Sequence, residues 1–206
     1  MRTFLIVLSA TVAAALWNSI AGAQAPVPKQ NAPKQNAIPL DRGKETAKQD
    51  LDELFANLKR EGDRKRAQRI SQQIWANWFR SDSKSTDLLT GWARKAMADK
   101  KFAVALDLLD QAIVLNPGYA EAWNQRATLH FMMDEYGKSI SDIERVLELE
   151  PRHYGALSGL GMILQRMERK KEALEIWHRV LAIYPAMDSA QKAVIELEDE
   201  LTGNRT

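Results

Sequence analysis

The sequence predicts an all-α fold: about nine helices wound as a short right-handed solenoid of repeated helix pairs, closed by a C-terminal capping helix. Three observations carry this expectation. Of the seven prolines, Pro117, Pro151 and Pro185 stand at a regular spacing of 34 residues. Between them, apolar residues recur with the 3.6-residue period of amphipathic helices, as in Trp123, Ala127 and Phe131 or Ile140, Ile143 and Leu147. Small residues also return at fixed places in each interval, which is how two helices are allowed to cross closely. A helix with a single apolar stripe must bury it on a neighbour, so pairs of them stack.

The chain opens with Arg2, an uncharged apolar run over residues 4–16 and the small-residue exit Ala21-Gly22-Ala23. These are the three parts of a secretory signal peptide, predicted over 1–23 with cleavage after Ala23. The apolar run falls short of the roughly 20 residues needed to span a bilayer. With no cysteine, lipoprotein anchoring is excluded, and so are disulfides, Cys-ligated metals and thiol nucleophiles. An exported protein without disulfides suggests the bacterial periplasm. Residues 24–48 hold Pro26, Pro28, Pro33 and Pro39 and repeat Lys-Gln-Asn-Ala, which predicts a disordered linker too poor in apolar surface to fold.

Residues 49–85 carry two apolar stripes, Leu51, Leu54, Phe55 and Leu58, then Ile70, Ile74, Trp75 and Trp78. They predict a degenerate helix pair whose Trp75, Trp78 and Phe79 cap the stack, with Trp78 meeting Trp92 at the junction. Three regular units follow, at 86–119, 120–153 and 154–187. Their eighth places are Ala93, Ala127 and Gly161, and their twentieth Ala105, Ser139 and Ala173. The fourth places are large (Leu89, Trp123, Leu157), as are the twenty-fourth (Leu109, Ile143, Trp177). Each second helix ends where a proline bars its predecessor from the α region. The capping helix occupies 188–203, with Asp188 and Gln191 at its start and Ala190, Ala193, Val194, Leu197 and Leu201 on one face.

This pattern, and above all Ala120-Glu-Ala-Trp-Asn-Gln-Arg-Ala127, resembles the tetratricopeptide repeat (TPR), whose unit is 34 residues with the same large, small and proline places. The resemblance covers residues 86–187. Departures are Arg126 at an apolar seventh place, His130 and Ala96 at the eleventh, and Lys170 at the seventeenth, each expected to weaken packing locally. The resemblance implies a concave groove, lined by the first helix of each repeat, that holds a partner protein or peptide. By place, its lining is Thr90, Arg94 and Met97 in the first unit and Asn124, Thr128, Phe131 and Met132 in the second. In the third it is Ser158, Met162, Gln165 and Arg166. The Lys and Asn places that clamp a terminal carboxylate in chaperone-tail binders hold Thr90, Arg94, Gln125, Gly155 and Gly159 here, so that clamp is not reproduced.

Nothing in the sequence points to catalysis, a cofactor or a metal. His130, His153 and His178 form no ligand pair, and there is no P-loop, G-x-G-x-x-G or G-x-S-x-G. A net charge of +2 excludes the basic bias of a nucleic-acid binder. The clusters Lys59, Arg60, Arg64, Lys65, Arg66, Arg69 and Arg166, Arg169, Lys170, Lys171 straddle helix bends, where solvated charge is usual. The expected function is therefore a non-enzymatic periplasmic interaction module. The alternative is a structural assembly factor kept at the membrane by an uncleaved N-terminal segment. N-terminal sequencing of the mature protein separates them: the first reading predicts a start at Gln24, the second an intact Met1.

Overall fold

The computed structural model describes residues 40–203. Among these it contains nine α-helices and no strand: α1 Leu40–Arg60, α2 Arg64–Trp78, α3 Lys84–Ala98, α4 Phe102–Leu115, α5 Ala120–Met132, α6 Tyr136–Leu149, α7 Tyr154–Arg166, α8 Lys170–Ile183 and α9 Asp188–Thr202. The predicted signal segment and most of the linker lie outside the described residues. The linker was expected to reach Lys48, but α1 begins at Leu40, directly after Pro39. The stretch from Leu40 on contains Arg, Lys, Glu, Ala and Gln, all strong helix formers, and the Pro/Gln-rich composition upstream hid that change.

Helices pair in order, α3 with α4, α5 with α6, α7 with α8, and α9 closes on α8. The small places explain the pairing. Ala93, Ala105, Ala127, Ser139 and Ala173 are all essentially inaccessible. In the second unit the Ser139 hydroxyl donates to the Ala127 carbonyl at 2.8 Å, so the eighth and twentieth places do meet where the helices cross. In the third unit a β-carbon on Gly161 would lie 2.8 Å from the Trp177 ring; the indole fills the space that glycine leaves.

Each pair turns through the same device. Lys100, Asp134 and Glu168, the fifteenth residues of their units, adopt φ of 57°, 57° and 58°. The following amides donate back across the helix end, Lys101 to Ala96, Glu135 to His130 and Arg169 to Leu164, at 2.8–2.9 Å. This is a Schellman closure made without the usual glycine. The second helices end on Asn116, Glu150 and Tyr184, which precede the three prolines and take φ of −143°, −140° and −129°. The steric exclusion of the pre-proline residue from the α region sets those ends.

The departures from the repeat pattern are compensated. Arg126 does not weaken the second unit. Its guanidinium donates two hydrogen bonds to Asp142 at 2.7 and 2.8 Å and one to Asp110 at 2.7 Å. Asp110 lies on α4 and Asp142 on α6, so one side chain from α5 pins both neighbours. The hydrogen bonds it donates to Asp142, then the one it donates to Asp110, hold Arg126 protonated well above its ordinary range. His130 pairs through Nδ1 with Glu135 at 2.7 Å. Lys170 reaches Glu168 and, on α9, Glu200.

The N-terminal pair is placed differently from the expectation. Trp78 does not meet Trp92, which is half exposed. Instead α1 and α2 share one core with α7, α8 and α9, built on Phe55, Leu58, Ile74 and Trp78 against Tyr154, Leu157, Val180 and Tyr184. Arg64, at the start of α2, pairs with Asp188 at the start of α9 at 2.7 Å. Ser71 meets the Tyr154 hydroxyl at 2.8 Å at the start of α7. Phe79, just past α2, lies 4.7 Å from the Arg94 guanidinium on α3. Thus α2 crosses the amino-terminal ends of α9 and α7 and points back to α3.

Arg126 supplies the test of these compensations. Replacing it by Met leaves Asp142, 6% exposed, without its cation, and should cost about 3 kcal/mol in urea unfolding. Adding Asp142→Leu removes the stranded charge and should restore stability to within about 1 kcal/mol. Equal, additive losses in the two variants would show that Arg126 is not the staple.

Candidate functional site

The first helices of the repeats present one concave depression, a pocket of about 260 Å³ between α5 and α7. Its shape follows from what the sequence omits. Ser158 and Gly159 place little or no side chain on the facing side of α7, so the opposite wall of Ala127, Thr128 and Phe131 stays uncovered. Ile143 and Ile163 floor it, and Met162, 45% exposed, stands at its mouth. Its lining is mostly apolar. The Thr128 and Ser158 hydroxyls are engaged within their own helices, donating to the Asn124 carbonyl at 2.9 Å and the Tyr154 carbonyl at 2.7 Å. Their remaining acceptor capacity faces outward.

Of the residues expected in the groove, Asn124, Thr128, Phe131, Ser158 and Met162 come together here. Others do not. Thr90 is buried and donates to the Thr86 carbonyl, and Met97 belongs to the core of the first repeat, so neither offers a binding surface. Gln165 accepts from the Trp177 indole at 2.9 Å and acts as internal support. Arg166 lies over the Phe131 ring at 4.8 Å and donates to the Tyr136 hydroxyl at 3.0 Å, covering one flank of the pocket. Met132 is exposed and does not line the pocket. Arg94 is given over to Phe79. These differences come from facing: the repeat place fixes the angle around a helix, but the twist of the stack decides which positions open to solvent.

Beneath the pocket lies a buried polar group that the sequence reading did not assemble. Glu121, 2% exposed, accepts from Asn124 Nδ2 at 3.0 Å and Gln125 Nε2 at 3.2 Å. Its carboxylate faces His153 Nε2 at 3.4 Å across the boundary between the second and third units. Asn124 is therefore fixed by a carboxylate, with only its edge at the pocket. Among the described residues no group of His, Asp or Glu has the arrangement to hold a metal ion. No described helix is long and apolar enough to cross a membrane. In both basic clusters, arginines are spent on acidic partners: Arg66 on Glu61, Arg64 on Asp188 and Arg169 on Glu172.

No family model matches the chain. A TPR repeat-containing protein of Rhizobium etli is 47% identical over 181 residues, covering 88% of this chain and 89% of that one. The chain belongs to the TPR repeat proteins. A second relative, the small glutamine-rich tetratricopeptide repeat-containing protein 2 of Saccharomyces cerevisiae, is 32% identical over 43% of this chain and 26% of its own length. Among solved structures, the first TPR of Spaghetti (RPAP3) bound to HSP90 peptide SRMEEVD aligns with a TM-score of 0.56 and 21% identity, over 59% of this chain and 96% of that one. The Sgt2 TPR domain from Aspergillus fumigatus aligns at 0.55 and 23%, over 60% and 84%. At such identities the solved structures establish the fold: this TPR protein stacks its helix pairs as they do.

Proposed function

We propose that this TPR protein is a non-enzymatic, exported interaction module that holds a peptide or helix of another protein in its concave face. The observation that carries the reading is the α5–α7 pocket, apolar, open and placed where the first helices converge. An apolar side chain of the partner fills the space left by Gly159. Met162 adapts to its shape, as an unbranched thioether does, while Thr128 and Ser158 accept hydrogen bonds from the partner's backbone. The TPR domain solved with an HSP90 peptide supports a peptide as ligand class. The carboxylate clamp is absent, so the partner is recognised along its length and not by its terminus. The N-terminal segment 1–23 supports a location outside the cytoplasm, with the periplasm the compartment that suits a chain without cysteine.

The test is site-specific photo-crosslinking in living cells with a benzophenone side chain at Met162 or, as control, at the exposed Val114 on α4. The proposal predicts a discrete crosslinked band from Met162 only. Gly159→Leu, whose β-carbon meets nothing closer than Ile143 at 3.7 Å, fills the pocket without disturbing the helix and should abolish the band. A Met162 band that survives Gly159→Leu contradicts the pocket as the site.

A further inference from the structure

We propose that the amino-terminal edge of α7 is a receptor for a tryptophan-bearing amphipathic helix, and that α2 is its tethered, releasable occupant. The seat is made by three consecutive residues. Gly155 leaves the α7 backbone bare, and a β-carbon there would lie 2.7–2.8 Å from the Trp75 ring. The imidazole of His153 stacks on Trp78, with centroids 4.0 Å apart and planes 9° from parallel. Its Nδ1 accepts the Ala156 amide at 3.0 Å as the helix cap, which fixes the ring with its face toward the indole. Tyr154 receives Trp75 edge-on at 5.9 Å and bonds Ser71 with its hydroxyl. Burial keeps that hydroxyl protonated, its pKa pushed far up.

Around this aromatic centre runs a polar rim: Arg64 with Asp188, and Arg152 with both Asp52 and the face of Phe55. Aromatic anchors in a desolvated centre, ringed by exposed ion pairs, are the anatomy of an interface between molecules. The centre is also incompletely paired. Trp78 Nε1 is buried without a hydrogen-bond partner, and His153 Nε2 has only the Glu121 carboxylate at 3.4 Å. A core built to stay closed satisfies such an atom; leaving the indole N–H open weakens the contact. The core residues of α1 and α2 belong to the cluster of the third repeat, while the first repeat packs in a separate one. The pair is joined to α3 through residues 79–83, and the first repeat keeps its own core when it leaves. The surface it uncovers would suit a helix of the same chemistry from a partner. Gly155 also lines the α5–α7 pocket, but the seat is argued and tested independently of what that pocket holds.

The test uses a fluorescein-labelled synthetic peptide with the sequence of residues 61–82, added to the full-length chain and followed by anisotropy. Wild type, its seat filled, should bind it at least about tenfold more weakly than the Trp75→Ala, Trp78→Ala chain. Adding Gly155→Ala to that chain should return binding to the wild-type level, because the new methyl group meets the incoming Trp75 ring. A peptide with both tryptophans changed to alanine should not bind. The proposal is overturned if the double variant binds no tighter than wild type, or if binding survives Gly155→Ala. It is equally overturned if hydrogen exchange shows that the double variant loses protection across α3–α8, since α2 would then be part of one cooperative core.

Discussion

The structure depends on helices approaching closely wherever a side chain is missing or minimal. Ala93, Ala105, Ala127, Ser139 and Ala173 are all inaccessible, Ala127 and Ser139 meet directly, and the space at Gly161 is filled by the Trp177 indole. Interiors packed at crystal-like density feel a single added methylene, so these six places set the spacing within each pair. The stacking of pairs, the concave face and the α5–α7 pocket follow from that spacing. The same constraint acts once more at Gly155, where the partner helix is α2 and the close approach is made by the ring of Trp75.

Charge plays a second, narrower part. The seam between the first and second repeats carries Arg126, bridging Asp110 and Asp142, while the seam between the second and third carries Glu121 facing His153. A buried ion pair contributes little net stability against an apolar alternative but penalises misalignment heavily. The Arg126 pairs therefore fix the register of the second repeat on the first more than they add strength. His153 belongs to both systems: its edge faces Glu121 and its ring face carries Trp78. The second–third seam and the docking of α2 are thus physically linked.

The three repeats were legible because a solenoid is nearly one-dimensional: each residue packs within its unit or on the next, and the period of 34 shows both. What the sequence hid has two causes. Some contacts join residues far apart. Ser71 and Tyr154 are 83 positions from each other, and no local pattern in α2 indicates that it returns to the third repeat. Arg126 looked like a packing defect because its partners lie 16 residues away on either side. Other features rest on conformation or on absence. The left-handed turns at Lys100, Asp134 and Glu168 carry no glycine to announce them. The pocket is left open by Gly159, which has no side chain to read, whereas Thr90 and Met97, which do, point inward.

Nuclear Overhauser spectroscopy of the full-length protein reads out whether the N-terminal helix pair seats on the third repeat through Trp75 and Gly155. Cross-peaks are expected between the Trp75 ring and the Gly155 α-protons, shifted by the indole ring current, and between the Trp78 and His153 rings. Cross-peaks between Trp78 and Trp92 in their place, with unshifted Gly155 α-protons, would contradict that seating and return the pair to the head of the stack.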